Sequence, residues 1–291
     1  MSDDLRSLLA DLAGYLEQQQ QAGGVFYLEE AAPADLDQLV AATASEPAPA
    51  PAPTPAPVPA APPKSTRPAG ARDAAFQAEC QTFVTEALAV IARAQREPAP
   101  VSADPAGELA ALADEVRACT ACPLCRGRRN AVPGAGHPSA SLMLVGEAPG
   151  QAEDEQGLPF VGRSGQLLTD ILKAIGFSRQ DVFIGNVLKC RPPNNRDPLP
   201  AEVAACEVFL RRQIAIIQPR IILCLGRIAA QTLLGTTASL GSLRRSVHVY
   251  AGVPLMATYH PAALLRNPAN KRDTWDDVRK LRALHDALGS A

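Results

Sequence analysis

The segment SLMLVGEAPG, residues 141–150, joins an apolar run to a turn built from Gly and Pro. A short apolar run that ends in such a turn predicts a strand buried on both faces. Three later segments repeat the apolar pattern: VFIGNV (182–187), RIILCLG (220–226) and PLMATY (254–259). The sequence therefore predicts four buried strands.

Amphipathic segments separate these strands. Two of them are residues 199–218 and residues 227–235. The segment before them, GRSGQLLTDILKAIG (162–176), has five apolar residues on one helical face: Leu167, Leu168, Ile171, Leu172 and Ile175. Strands that alternate with amphipathic helices indicate a parallel sheet that is covered on both faces.

Three informative segments follow the predicted strands. In open parallel sheets, ligands bind beyond the carboxyl ends of the strands. GEAPG (146–150) leaves the first strand, Asn186 lies near the end of the second, and His260 follows the last. Glycines in such a turn let the backbone approach a ligand closely, although the turn has neither a dinucleotide fingerprint nor a P-loop lysine. We therefore expect the binding site at this edge of the sheet.

The front of the chain has a different composition. Residues 46–68 alternate Ala and Pro, which predicts an extended linker without helix or sheet. A short amphipathic helix is predicted at about Asp4 to Gln20. The predicted divisions are an N-terminal extension at 1–45, the Ala/Pro-rich linker at 46–70, a helical segment and linker at 71–114, and the main domain at 115–291. We expect the extension to be largely disordered. It would either dock a protein partner or serve only as a solubilising extension.

Charge is distributed unevenly between the two parts of the chain. Residues 1–116 carry 6 basic and 17 acidic side chains, whereas residues 117–291 carry 22 basic and 13 acidic ones, so the net charges are −11 and +9. A basic domain indicates a polyanionic partner such as nucleic acid, although a solvated basic face gives the same count. No segment of the sequence resembles a signal peptide or an apolar run of about eighteen residues. We expect a soluble cytosolic protein without membrane contact.

Four of the seven cysteines have spacing that is typical of a metal site. Cys119 and Cys122 form a C-x2-C pair, Cys190 follows the second strand, and Cys206 lies on the next helix. Four thiolates allow either a zinc ion or an iron–sulfur cluster, and the spacing does not separate the two. The remaining cysteines are a possible substitute ligand, a core residue and a residue outside the domain: Cys125, Cys224 and Cys80.

Together, five segments closely resemble the family-4 uracil-DNA glycosylases, the iron–sulfur members of the uracil-DNA glycosylase superfamily. They are CTACPLC (119–125), GEAPGQAEDEQGLPFVGRSGQLL (146–168), NVLKCRPPNNRDP (186–198), Cys206 and TYHPAALLRNP (258–268). The resemblance covers about residues 115–288. It implies an α/β fold, a three-layer α/β/α sandwich around a mostly parallel four-stranded sheet. It also implies a [4Fe-4S] cluster with a structural role, held by Cys119, Cys122, Cys190 and Cys206.

The resemblance also implies how the base would be recognised. Uracil must leave the base stack to enter a pocket. There Phe160 would stack on the base, Asn186 would hydrogen-bond its pairing edge, and Glu153 would exclude the methyl group of thymine. Backbone amides of the GEAPG segment would line the base and the sugar: those of Gly146, Ala148 and Gly150.

For the reaction itself, the resemblance implies hydrolysis of the N-glycosidic bond that leaves an abasic site, as in base excision repair. His260 would donate a hydrogen bond to the uracil anion as a neutral imidazole. Glu147 would position the attacking water or stabilise the sugar cation, or would only orient its loop. We expect a monofunctional enzyme that forms no Schiff base. The alternative is a non-catalytic iron–sulfur protein that binds DNA or recognises damage.

The remaining implied contacts are with the DNA duplex. Leu264 would fill the space left by the flipped base, and Arg266 would hold a flanking phosphate. An alternative places both Leu264 and Leu265 in the core of a short helix. Three further basic residues after the second strand are candidates for backbone contacts: Lys189, Arg191 and Arg196. The resemblance thus predicts a monomeric protein of the cytoplasm, associated with the nucleoid, that acts on uracil-containing DNA.

Overall fold

The structure is a computed structural model that describes residues 69–94 and 102–289. Three sequence predictions lie wholly or almost wholly outside these residues: the helix at about Asp4 to Gln20, the disordered N-terminal extension and the Ala/Pro-rich linker. Within the described part of the chain, no helix is long and apolar enough to cross a membrane.

One mixed sheet of six strands forms the centre of the fold. Its strands are β1 (Ala135–Gly136), β2 (Leu142–Gly146), β3 (Phe183–Asn186), β4 (Ile221–Leu225), β5 (His248–Tyr250) and β6 (Val253–Thr258). The strand order is β1-β3-β2-β4-β6-β5. The four predicted strands are the central ones, β3, β2, β4 and β6, and all of their pairings are parallel.

The predicted count of four strands is too low, because β1 and β5 add antiparallel edges. These edge strands have only two and three residues, and none of those residues is fully buried. Such strands have no apolar run, since edge positions face solvent. The prediction of a mostly parallel sheet within an α/β fold is confirmed.

Nine α-helices surround the sheet in the described part of the chain. They are α1 (Ala69–Arg93), α2 (Pro105–Ala118), α3 (Gln151–Gln156), α4 (Arg163–Ala174), α5 (Pro200–Ile217), α6 (Arg227–Leu234), α7 (Leu240–Leu243), α8 (Pro261–Arg266) and α9 (Lys271–Gly289). Short 3-10 turns occur at Pro123–Arg126, Pro193–Asn195 and Pro268–Asn270.

The helices form two layers, because side chains of a strand alternate between its faces. In β2, Leu142 and Leu144 belong to one core with residues of α1, α4 and α9. Met143 and Val145 belong to the opposite core with residues of α5, α6 and α7. The helices therefore cover both faces of the sheet and leave the carboxyl ends of the parallel strands open for a site.

Candidate active site and cysteine cavity

A pocket of about 380 Å³ lies where β2, β3 and β6 end. Its lining includes the residue after β2, the last residue of β3 and the residue before α8: Glu147, Asn186 and His260. The other lining residues come from the loops around these strand ends: Ala148, Pro149, Gly150, Glu153, Phe160, Ser164, Pro192, Asn195, Arg196, Asp197, Ala262 and Arg266. The structure thus brings together most of the residues predicted to bind the base.

Gly146 lies beside this pocket at a point of close packing. It pairs with Asn186 across the β2–β3 ladder. A Cβ atom on Gly146 would lie 2.3 Å from Asn186 Oδ1 and 2.7 Å from the Phe160 ring. No side chain fits there, so a glycine is required for Asn186 and Phe160 to approach each other.

Asn186 carries an unsatisfied acceptor. Only 1% of this residue is exposed, and its Oδ1 has no hydrogen-bond partner among the described residues. A buried polar atom without a partner costs free energy, so native proteins rarely keep one without a functional reason. A ligand that offers an N–H donor would satisfy this oxygen.

The loop that carries Phe160 is held by buried charge. Phe160 adopts a φ of 52°, which is strained for a residue with a large side chain. The Glu153 carboxylate accepts hydrogen bonds from the backbone N–H groups of Gly150, Val161 and Gly162 at 2.9–3.1 Å. Arg179 donates to the carbonyl oxygen of Phe160 at 3.1 Å. These contacts fix the aromatic ring on the pocket wall.

His260 is held as a neutral imidazole with a defined tautomer. The backbone N–H of Ala262 donates to His260 Nδ1 at 3.1 Å, so a neutral ring carries its proton on Nε2. Burial, followed by the nearby charge of Arg266, lowers the pKa of His260 to about 4. The ring lies 5.4 Å from the Phe160 ring, centroid to centroid. The pocket therefore contains an uncharged N–H donor.

The pKa of Glu147 is raised, whereas that of His260 is lowered. Burial raises its pKa, and the charge of Asp197 raises it further, whereas Arg227 and Arg266 lower it. Arg227 also forms an ion pair with Asp197 at 3.0 Å. The protonation of Glu147 thus depends on a small set of charges at the rim of the pocket.

Five cysteines line a second, small cavity: Cys119, Cys122, Cys125, Cys190 and Cys206. The four predicted ligands are therefore brought together, and Cys125 joins them. Arg128 donates to Cys190 Sγ at 3.1 Å, and the backbone N–H of Lys189 donates to Cys206 Sγ at 3.2 Å. No three His, Cys, Asp or Glu side chains of residues 69–94 and 102–289 converge closely enough to hold a single metal ion.

The N–H donors beside these thiols suit sulfur ligands in the thiolate form. Burial raises the pKa of Cys190, and it raises that of Cys206 to about 11, so both thiols stay protonated without a partner. A metal centre would deprotonate them, and donors such as Arg128 would stabilise the resulting thiolates. The other two cysteines lie apart from this cavity: Cys80 is on α1 and Cys224 is buried in β4.

Known proteins resemble this chain over the region that forms the pocket. A family model described as "Uracil DNA glycosylase superfamily" matches residues 133–279, which include all three strand ends that form the pocket. The chain belongs to the uracil-DNA glycosylase superfamily. Within this superfamily, it is similar to proteins named type-4 uracil-DNA glycosylase, as the motifs predicted.

Three such type-4 relatives show how far the similarity extends. The protein of Saccharolobus solfataricus is 45% identical over 188 residues, which are 62% of this chain and 86% of the relative. That of Pyrobaculum aerophilum is 48% identical over 179 residues, 59% of this chain and 91% of the relative. That of Thermotoga maritima is 44% identical over 176 residues, 59% of this chain and 92% of the relative.

The two leucines of α8 lie in different environments, Leu264 in the interior and Leu265 at the surface. Leu264 is 1% exposed, and its helix α8 contacts α4. Leu265 is 39% exposed. Neighbouring residues of a helix point about 100° apart, so only one of the two can face the interior. The alternative that placed both leucines in the core therefore holds for Leu264 and is wrong for Leu265, which is the surface leucine of this helix.

Lys189 is also placed differently from its prediction. The expectation that it contacts phosphates is wrong, because only 1% of the residue is exposed. Its Nζ donates to Asn186 O at 2.8 Å and to Gln213 Oε1 at 2.7 Å. Burial lowers the pKa of this ammonium group to about 8. Lys189 is an interior residue between the pocket and the cysteine cavity.

Sequence reasoning missed several residues of the loop between β3 and α5. Asn195 and Asp197 line the pocket, and Arg196, considered only for phosphate contact, lines it as well. Arg196 forms an ion pair with Glu202 of α5 at 2.6 Å, which fixes the loop against the helix. The sequence signal for this turn was the pair Asn194 and Asn195. Both residues have a φ of 54°, a conformation that Asn tolerates in turns.

We expect the imidazole of His260 to remain neutral from about pH 9 to about pH 5, with a midpoint near 4. Its proton should lie on Nε2 throughout this range. Nitrogen-15 NMR of the His260 ring, assigned with His260→Gln, measures both the tautomer and the midpoint. Removing a positive neighbour in Arg266→Gln should raise the midpoint. A wild-type midpoint at the ordinary value of 6.5 would contradict this environment.

Because the pKa of His260 is lower in the folded protein than in the unfolded chain, His260 also reduces the stability of the fold as the pH falls from 6.5 towards 4.

Leu264→Ala should lower the free energy of unfolding by about 2–5 kcal/mol, because it leaves a cavity at a buried position of α8. Leu265→Ala serves as the matched control. Its loss should stay within about 0.5 kcal/mol, as is usual for surface positions. Urea denaturation of both variants measures the difference. Equal losses would show that the two leucines are not divided between interior and surface.

Proposed function

We propose that this protein excises uracil from DNA by hydrolysing the N-glycosidic bond, and that it leaves an abasic site for DNA repair. One observation carries the proposal. A neutral His260 with an available Nε2–H donor lines the same buried pocket as Phe160 and the unpartnered Asn186 Oδ1. Relatives matched over most of their length are named as uracil-DNA glycosylases, so the non-catalytic alternative loses its support.

The first step is recognition of a base that has left the stack. Uracil carries an N–H donor at N3, and this donor would satisfy the buried oxygen of Asn186. Cytosine carries an acceptor at N3, and it would leave the same oxygen unpaired at a cost of about 1–3 kcal/mol. Phe160 stacks on the base, and the missing side chain of Gly146 leaves room for the Phe160 ring beside Asn186. The pocket thus selects uracil through one buried amide.

Glu153 was predicted to exclude thymine. It lines the pocket, so we keep this role as part of the proposal. Its carboxylate also holds three backbone N–H groups of the surrounding loop, so its position is fixed. A fixed side chain excludes a methyl group better than a mobile one, because it cannot move aside at low cost.

The second step is cleavage of the bond between sugar and base. Negative charge develops on the departing uracil, and a prepositioned donor stabilises it most in a site that excludes water. His260 supplies this donor through Nε2–H, while the Ala262 N–H keeps Nδ1 occupied. The neutral ring gives up no proton, so it can donate before and after cleavage without a change of charge.

We assign the other side of the bond to Glu147. It lines the pocket, and rim charges of both signs act on its carboxyl group. In its ionised form it would orient the attacking water and stabilise the sugar cation. We propose simple hydrolysis without a Schiff base, since none of the lining residues in the described part of the chain is a lysine.

The DNA duplex would meet the same edge of the protein. Arg266 lines the mouth of the pocket and would hold a flanking phosphate. We assign the wedge that replaces the flipped base to Leu265, because it is the exposed leucine of α8. Monomeric state, nucleoid association and a partner for the N-terminal extension stay predictions.

We further propose a [4Fe-4S] cluster held by Cys119, Cys122, Cys190 and Cys206. The support is the cavity that these residues share and the two N–H donors directed at Cys190 and Cys206. When bound, such a cluster would link α2, the segment after β3 and α5. Its role would be structural, with no part in the hydrolysis.

The catalytic proposal predicts uracil release from a duplex that contains one labelled uracil. His260→Ala should slow single-turnover release by about a hundredfold to a thousandfold, because the donor to the leaving group is lost. His137→Ala is the matched control, since this exposed histidine lies outside the pocket. Thymine should not be released, and strands should break only after heat or alkali.

Wild-type protein that is folded and loaded with iron, yet releases no uracil, would refute the catalytic proposal. Strand cleavage without heat or alkali would instead refute the monofunctional mechanism. Leu265→Ala should slow release from duplex DNA more than release from single strands, because only the duplex contains a space to fill.

The cluster proposal predicts the iron content of protein purified without oxygen. Serine at any of the four proposed ligands should lower bound iron and the absorption near about 400 nm. Cys125→Ser is the matched control within the same cavity, and Cys224→Ala is the control for a buried cysteine outside it. Stoichiometric zinc in place of iron, or unchanged iron in Cys190→Ser and Cys206→Ser, would refute this assignment.

A further inference from the structure

Lys189 is a buried cation that the proposed mechanism does not use. It follows Asn186 by three residues and directly precedes Cys190. A lysine is seldom fully enclosed, because the loss of water around its ammonium group must be offset by hydrogen bonds. The hydrogen-bond partners of Lys189 therefore indicate why this cation is buried.

The side chain of Lys189 turns back to the end of β3, the strand that precedes it. Its Nζ donates to the carbonyl oxygen of Asn186 at 2.8 Å and to Gln213 Oε1 at 2.7 Å. Gln213 is itself fixed, because its Nε2 donates to Pro133 O at 2.6 Å. This chain of hydrogen bonds anchors the main chain of Asn186 to α5 and to the segment before β1.

The backbone of Lys189 meets the cysteine cavity. Its N–H donates to Cys206 Sγ at 3.2 Å, and its carbonyl oxygen accepts from the N–H of Val132 at 2.8 Å. Lys189 thus contacts the end of β3 through its side chain and Cys206, a proposed cluster ligand, through its backbone N–H.

Asn186 needs such an anchor more than most residues. Its Oδ1 has no hydrogen bond within the described residues, so no polar contact of that atom fixes the amide before a base arrives. The direction of the side chain then depends on the main chain of Asn186 and on packing against Gly146 and Phe160. A displacement of about 1 Å in such a group can cost about a hundredfold in rate.

We propose that Lys189 is a positioning residue, which holds Asn186 in the orientation that reads the base and couples that orientation to the geometry of the cysteine cavity. This inference rests on the proposed uracil excision and adds a residue to it. Lys189 touches neither the base nor the reacting atoms, and it acts only through Asn186.

The test compares Lys189→Met with Lys173→Met, the same substitution at an exposed position of α4. Single-turnover release of uracil, affinity for uracil-containing duplex, iron content and thermal midpoint are measured for both. Lys189→Met should slow release by about tenfold to a hundredfold and reduce the preference for uracil over cytosine. Its affinity for the duplex should change less than about twofold. Lys173→Met should match the wild type.

A double-mutant cycle separates positioning from a general structural role. In an Asn186→Ala background, Lys189→Met should slow release by less than about twofold, because the group that it positions is already absent. Gln213 provides an independent pair of variants. Gln213→Leu removes the acceptor of Lys189 and should slow release. Gln213→Glu keeps that acceptor but loses the hydrogen bond to Pro133 O, so it should slow release less than Gln213→Leu.

The inference is overturned if folded, iron-loaded Lys189→Met releases uracil at the wild-type rate. It is equally overturned if Lys189→Met adds its full effect on top of Asn186→Ala. Should Lys189→Met not fold or not load iron, the Gln213 variants decide. A wild-type rate in Gln213→Leu, or equal losses in Gln213→Leu and Gln213→Glu, would then refute it. Wild-type protein without uracil release would instead refute the proposed function itself.

Discussion

The site depends on the pairing of β2 and β3 at their carboxyl ends. Gly146 lies opposite Asn186, and the ladder continues past the strands, with Val187 N–H donating to Gly146 O and Leu188 N–H to Glu147 O. A slip of one residue would turn Asn186 to the other face of the sheet. The absence of a side chain at Gly146 lets the amide and the Phe160 ring lie against each other. Register and packing thus specify the same arrangement, and the pocket follows from it.

Exclusion of water then sets the charges inside this pocket. Burial disfavours the charged form of any group, so it keeps His260 neutral and raises the pKa of Glu147. Arg266 lowers the pKa of both groups. For His260 this adds to the effect of burial, and for Glu147 it opposes it. One cation at the rim therefore favours a neutral donor and an ionised carboxylate together, the combination that departure of an anionic base from a cationic sugar requires.

Much of this arrangement could be predicted from sequence, for reasons that particular residues make plain. The four central strands are apolar runs, and Glu147, Asn186 and His260 follow from the rule that ligands bind at strand ends. The edge strands β1 and β5 could not be found, because pairing and not apolar content defines them. Leu264 and Leu265 differ only in helical phase, which depends on how α8 packs on α4. Lys189 resembled an exposed basic residue, since its partner Gln213 lies twenty-four residues later and on another element.

The segment from Asn186 to Cys190 joins the pocket to the cysteine cavity. Because this segment is short, a cluster at its cysteine end would act on the pocket by ordering the backbone between them. Each free residue of backbone carries about 1–2 kcal/mol of conformational entropy, and this segment loses that freedom at both ends. The strand ladder holds one end, and the hydrogen bonds of Lys189 hold the other. A group bound at Cys190 and Cys206 would tighten the second end without contact with the base. If Asn186 reads the base as proposed, the cost of ordering its amide is met during folding, and binding energy stays available for the transition state. A cluster that only stiffens this segment would therefore affect the rate, although it would take no part in the reaction.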